Sequence, residues 1–193
     1  MKRILFLGDS ITDCEHLYSR DGLGDGYVKM LSEKLPYKLI NTGTNGFMAA
    51  DIKRRINIFL QSSPNFISLL VGVNDIPSIT ASPKSFKHFI SAYEEIVVKI
   101  SKKPCLIIAP FVFPSPAELI NWERFLDPMR KEIKKLCEKY GAEYLPMDEI
   151  FKEELSRNEP TDLSPDGIHL TEMGHRILAE HWLEAFNRRQ ASP

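Results

Sequence analysis

"LFLGDSITD", residues 5–13, runs from unbroken apolar chain into a glycine, an acid and a hydroxyl within six positions. Ile4 to Leu7 contains no polar residue. A continuous apolar run of that length suits a strand covered on both faces, as strands of parallel sheets are. Gly8 ends the run, and Asp9-Ser10 stand where a following helix would begin. A serine there either caps that helix or reacts. Outward from this stretch the same grammar repeats. Lys38 to Ile40, Phe66 to Val71, Cys105 to Ala109 and Glu143 to Leu145 read as four more short strands.

Helical periodicity fills the gaps between them. Tyr27 to Leu35 is one candidate, and Ala50 to Leu60 another, with Ile52, Ile56 and Phe59 or Leu60 on one stripe. Ser82 or Pro83 opens a longer helix carrying Phe86, Phe89, Ile90, Tyr93, Ile96 and Val97 at helical spacing. Trp122 to Tyr140 follows, closed by Gly141. Thr171 caps a last helix bearing Met173, Ile177, Leu178, Trp182 and Phe186, whose stripe reads as core. Strand and helix alternate five times, which predicts an α/β fold: a parallel sheet with helices on both faces. Right-handed crossovers make a flavodoxin-like, doubly wound, five-stranded parallel sheet the simplest topology.

Length and composition bound the rest. The chain has 193 residues, 43% hydrophobic and 26% charged, and a net charge of -1. These values suit one globular domain spanning residues 1–193. No run of five like charges occurs; Lys53-Arg54-Arg55 and Arg188-Arg189 read as solvated helix faces, not as a nucleic-acid surface. Cys14, Cys105 and Cys137 form no CxxC pair, so neither a disulfide framework nor a zinc site is expected. Reduced thiols suit a cytoplasmic location. The apolar stretch after Lys2-Arg3 is too short for an export signal, and no segment is long enough to span a bilayer. Homo-oligomerisation is not readable from the sequence.

In doubly wound sheets ligands bind outside the carboxyl ends of the strands. Gly8-Asp9-Ser10 follows the first strand, Asn41 to Gly46 the second, and Gly72-Val73-Asn74-Asp75 the third. The fourth runs into Pro110 to Pro114, and beyond the fifth lie Asp162, Ser164, Asp166 and His169. These residue types suit acyl transfer. A serine hydroxyl needs a base to take its proton, histidine titrates near neutral pH, and a carboxylate orients the imidazole and stabilises its charge. Asp166 and His169 are three residues apart, so one turn can join them. Gly46 and Asn74, beside the N–H of Ser10, could supply the donors that an oxyanion needs.

These blocks, in this order, resemble the SGNH hydrolases, also called GDSL esterases and lipases. Gly8-Asp9-Ser10-Ile11-Thr12 is similar to the nucleophile block, Asn41 to Gly46 to the glycine block, and Gly72-Val73-Asn74-Asp75 to the asparagine block. Asp166-Gly167-Ile168-His169-Leu170, continued by Gly174-His175, is similar to the last. The resemblance implies a three-layer α/β/α fold and hydrolysis of a small-molecule ester without metal or other cofactor. It implies Ser10 as nucleophile, His169 as general base and Asp166 as its orienting acid. The oxyanion hole would comprise the N–H groups of Ser10 and Gly46, with Gly43 the alternative glycine, and the Asn74 side chain. The chain lacks the GxSxG elbow of α/β-hydrolases. It departs from many family members at Asp13, where glycine is common, and at Phe47, where a polar residue is common.

Other residues receive blander readings. Asp9 and Asp75 are expected to support loops, not to react. His169, His175 and His181 recur every six residues, a spacing that does not place metal ligands on one helix face, and His175 is expected to pack or cap. His16 and His88 have no evident partner. Asp21 to Gly26 is glycine-rich but is not GxGxxG, and reads as the loop entering the Tyr27 helix. Phe111 and Phe113 either line a substrate pocket or pack their loop. Short acyl or acetyl esters are the expected substrates, because no long apolar lid is evident. The alternatives are a lysophospholipase or thioesterase for longer chains, and a non-catalytic flavodoxin-like binding module in which Ser10 only caps a helix.

Overall fold

The computed structural model describes residues 1–115 and 117–191. Five parallel strands, β1 (Arg3–Gly8), β2 (Lys38–Asn41), β3 (Phe66–Leu70), β4 (Cys105–Ile108) and β5 (Glu143–Leu145), form one sheet in the order β2-β1-β3-β4-β5. Each lies within a residue or two of the apolar run read from the sequence. The helices are α1 (Ser10–Asp13), α2 (Tyr27–Ser32), α3 (Ala49–Phe59), α4 (Ile76–Ala81), α5 (Pro83–Ile100), α6 (Glu123–Tyr140), α7 (Met147–Glu154), α8 (Pro160–Leu163) and α9 (Glu172–Ala191).

Strand alternation divides the core in two. Ile4 and Phe6 face one side with Phe66, Leu106 and Ile108, where α2 and α9 cover them. Leu5 and Leu7 face the other side with Ile67, Leu69 and Ile107, under α3, α5 and α6. The result is the expected three layers. Trp182 of α9 is fully buried among Phe6, Phe66 and Phe186, with ring centroids 5.1–5.9 Å away. Its indole N–H donates to Ser68 Oγ at 2.9 Å, which satisfies the buried polar residue of β3.

Local signals set most helix ends. Ser82 Oγ accepts from Lys84 N, so serine is the cap of α5 and Pro83 its first residue. Gly141 closes α6 in the left-handed conformation, at φ 70°. Thr171 Oγ1 accepts from Gly174 N at 3.1 Å and starts α9. Three expectations need correction. The Tyr27 helix ends at Ser32, one turn ahead of Pro36, rather than at Leu35. Met173 is 39% exposed: it shares the outer face of α9 with Glu172 and Arg176, while Gly174 and His175 turn inward. Helices α4, α7 and α8 were not expected; all are short, and the first two directly follow a strand-end turn.

Among the described residues no helix is long and apolar enough to cross a membrane. The three cysteines are free thiols, with Cys105 and Cys137 buried. No cluster of three or more His, Cys, Asp or Glu side chains among the described residues converges as metal ligands would.

Candidate active site

Strand order reverses between β1 and β3, because the chain crosses from β1 outward to β2 and then back to the other side. A crevice opens at such a switch point. Ser10 leaves the end of β1, and Asn74 leaves the end of β3 in a turn spanning Val73–Asp75. Gly8 and Leu70 pair in register, so the two loops start side by side.

The cap of α1 is Asp9, not Ser10. The Asp9 carboxylate accepts from Ile11 N at 3.0 Å, and its backbone is extended. Ser10 is therefore the first helical residue, and its hydroxyl is left for another partner. That partner is His169, whose Nε2 lies 2.9 Å from Ser10 Oγ. His169 Nδ1 lies 2.6 Å from Asp166 Oδ2. With the carboxylate accepting from Nδ1–H, Nε2 is the acceptor for the serine proton. Burial works against ionised Asp166. The His169 ring and the N–H groups of Ile168 and His169 outweigh it and hold the carboxyl below its ordinary range.

The Asp166–His169 loop is half exposed but tightly tied. Gly167 sits at φ 84°, and a Cβ there would meet Ser115 O at 2.4 Å. Its N–H donates to the buried Ser164 Oγ at 2.8 Å, and its carbonyl accepts from Phe113 N at 2.8 Å. Phe111 and Phe113 are both 1% exposed and pack with Phe151, so their loop packing is observed. Phe113 also lines an open cleft of about 550 Å³ with Val112, Leu119, Arg130, Asp148 and Phe151. That cleft lies along the same sheet edge, and neither Ser10, Asp166 nor His169 lines it.

The two candidate oxyanion glycines differ in what their N–H groups do. Gly43 N donates to Asn41 Oδ1 at 2.9 Å, so it is occupied. Among the described residues Gly46 N–H and Ser10 N–H have no hydrogen-bond partner. Gly46 lies at φ 73° on an exposed turn. Asn74 is half buried; one of its amide hydrogens goes to Phe47 O at 3.0 Å, which leaves the second for a ligand. These observations favour Gly46 over Gly43.

Asp75 accepts from Ala49 N at 3.1 Å and so ties the β3 turn to the start of α3. Burial pushes the Asp9 and Asp75 carboxyls up to about 7, against the N–H groups that each accepts. His175 is buried; its Nδ1 accepts from Tyr27 N at 3.3 Å, and its Nε2 lies 3.4 Å from Cys14 Sγ. Burial lowers that imidazole to about 4, so it packs as a neutral ring. His16 does have a partner, Asp13 Oδ1 at 2.6 Å. Nothing in the linear sequence singled that pair out. The buried Asn41 was also missed as a structural residue: its amide donates to Thr12 O, Asp13 O and Leu23 O.

Comparison with known proteins places the chain in a family. An acetylxylan esterase of Geobacillus stearothermophilus is 26% identical over 94% of this chain and 92% of its own length. Its crystal structure superposes with a TM-score of 0.83 at 24% identity, covering 95% of this chain and 93% of that one. Solved catalytic mutants of that esterase replace a serine, an aspartate or a histidine with alanine, the last two three positions apart. A putative GDSL-like lipase from Parabacteroides merdae gives a TM-score of 0.86 at 25% identity, over 96% and 95% of the two chains. The model of the GDSL-like lipase/acylhydrolase family matches residues 6–177, and the chain belongs to that family of hydrolases acting on ester bonds.

Proposed function

We propose that this chain is a serine esterase for short-acyl, principally acetyl, esters, with Ser10, His169 and Asp166 as its catalytic triad. The observation that carries the reading is the continuous relay from Ser10 Oγ to His169 Nε2 at 2.9 Å and from His169 Nδ1 to Asp166 Oδ2 at 2.6 Å. A serine that only capped a helix would need no such partner, and the cap here is Asp9.

In the reaction Ser10 Oγ attacks the ester carbonyl carbon while His169 Nε2 takes the hydroxyl proton. The carbonyl oxygen gains negative charge between Ser10 N–H, Gly46 N–H and the free amide hydrogen of Asn74. Asp166 stabilises the imidazolium and keeps the proton on Nδ1. His169 then protonates the leaving alcohol, the C–O bond breaks, and Ser10 carries the acyl group. Water repeats the sequence, releasing the acid and restoring the serine.

One observation supports a small acyl group. The related acetylxylan esterase acts, by its name, on an acetyl ester. The test is hydrolysis of p-nitrophenyl esters from acetate to palmitate by wild type and Ser10→Ala. Turnover should be highest with acetate and absent in the variant. Unchanged turnover by Ser10→Ala would reject the nucleophile, and a maximum at palmitate would reject the acyl preference.

A further inference from the structure

We infer that Asp13, braced by His16, is a positioning residue for the Gly46 oxyanion donor, an inference that rests on the reading of Ser10 as nucleophile. Asp13 ends the four-residue helix that Ser10 begins. Its side chain is only 13% exposed, and its two oxygens point to different partners. Oδ1 meets His16 Nδ1 at 2.6 Å, and Oδ2 accepts from Asn45 N at 3.1 Å.

Asn45 immediately precedes Gly46. The turn around it is held at Gly43 by Asn41, at Thr44 by Gly8 O, and at Phe47 by its own bond to Thr44 O. Among the described residues Gly46 N–H has no partner, and its backbone is left-handed. Glycine is free to leave that conformation at little cost, so the direction of its N–H depends on its neighbours. Asn45 and Asn45's partner Asp13 provide the anchor on the N-terminal side. The two segments also touch closely: a Cβ at Gly43 would meet Asp13 N at 2.3 Å. One helical turn therefore carries the nucleophile at its start and the anchor of an oxyanion donor at its end. Movement of the Asn45 end of this turn away from the helix must break the Asp13–Asn45 bond.

His16 restrains the carboxylate from the outer side. Its side chain is 12% exposed, so the pair is sheltered from competing water. Asparagine at position 13 keeps one oxygen for Asn45 N–H and turns its amide to His16.

The experiment measures kcat and KM on p-nitrophenyl acetate, scaled to active sites titrated with a fluorophosphonate. It also measures inhibition by a trifluoromethyl ketone, whose serine adduct places an oxyanion in the hole. Asp13→Ala should lower kcat per titrated site by about tenfold to hundredfold, because small misplacements of a reacting geometry carry losses of that order. KM should stay within about threefold, affinity for the ketone should fall in parallel with kcat, and Asp13→Asn should recover most of the loss. A purely structural Asp13 would lower the melting temperature and the titratable fraction but leave turnover per site at the wild-type value; that outcome overturns the inference. If Asp13→Ala does not fold, His16→Ala decides, with a severalfold loss per site expected and wild-type turnover overturning it. Ser10→Ala, run alongside, separates the two levels. If it is inactive while Asp13→Ala turns over normally, only the positioning role is lost. If Ser10→Ala remains active, the nucleophile assignment fails and the inference falls with it.

Discussion

Replacing Asp166 with asparagine exchanges one oxygen for an amide and removes one charge. The surrounding bonds fix which way the new side chain must turn. Asp166 Oδ1 accepts two backbone N–H groups, from Ile168 at 2.9 Å and His169 at 2.8 Å, so the single asparagine oxygen must stay there. The NH2 group then faces His169 Nδ1, in place of the oxygen now 2.6 Å away. An N–H donor at that point requires Nδ1 to be an acceptor, which moves the ring proton to Nε2. His169 would then donate to Ser10 Oγ instead of accepting from it, and the base is lost. Flipping the amide offers no escape, because it points two N–H groups at two more. A wrong tautomer of this kind lowers kcat by about 10⁴, or roughly 5 kcal/mol in the barrier. Steady-state hydrolysis of p-nitrophenyl acetate measures it, and thermal denaturation should show a fold little changed, since Asp166 is half exposed. A kcat within tenfold of wild type, in a folded variant, would refute the tautomer argument and with it the role of Asp166.

Asn74→Ala removes a side-chain donor of the proposed oxyanion hole; kcat should fall by about 10²–10³ with KM nearly unchanged, and a loss under threefold would count against that donor. Ser68→Ala leaves the buried Trp182 N–H without its acceptor. That costs about 1–3 kcal/mol, and at about 2–4 °C per kcal/mol the melting temperature should drop by several degrees while kcat holds. Asp75 has a folded pKa of about 7 against 3.8 for the free group, so the fold binds its proton more tightly than the unfolded chain does. Its contribution to stability therefore declines as pH rises from about 4 to about 7. Asp75→Asn should flatten that decline in melting temperature, and parallel curves for the two proteins would contradict it.

The sheet was legible because its central strands β1, β3 and β4 are buried on both faces and almost wholly apolar, with Ser68 the polar residue inside β3. Helix ends were legible where a side chain or glycine marks them, as at Ser82, Gly141 and Thr171. α4 and α7 escaped because each is short and follows a strand-end turn, leaving little room for periodicity to declare itself. Within the site, Ser10, Asp166 and His169 could be nominated from order and spacing, since each block carries its own residue types. The choice between Gly43 and Gly46 could not, because it turns on whether an N–H is already bonded, and that depends on where the Asn41 side chain folds back. The same holds for Asp13 and His16, whose spacing is common on any surface and whose meaning comes from Asn45, 32 residues away.

The exposure of the proposed triad decides how its order must arise. The side chains of His169 and Asp166 are 51% and 50% exposed, so core packing cannot hold them in line. Backbone hydrogen bonds do this instead. Asp166 is fixed by two N–H groups, Gly167 by Ser164 on one side and Phe113 on the other, and Thr171 by the carbonyl groups of Asp162 and Leu163. A site ordered in this way is preorganised before any ligand arrives, yet remains wet. Electrostatic stabilisation of an oxyanion strengthens as water leaves. On the proposed function, the bound ester itself completes the exclusion of water over these exposed side chains.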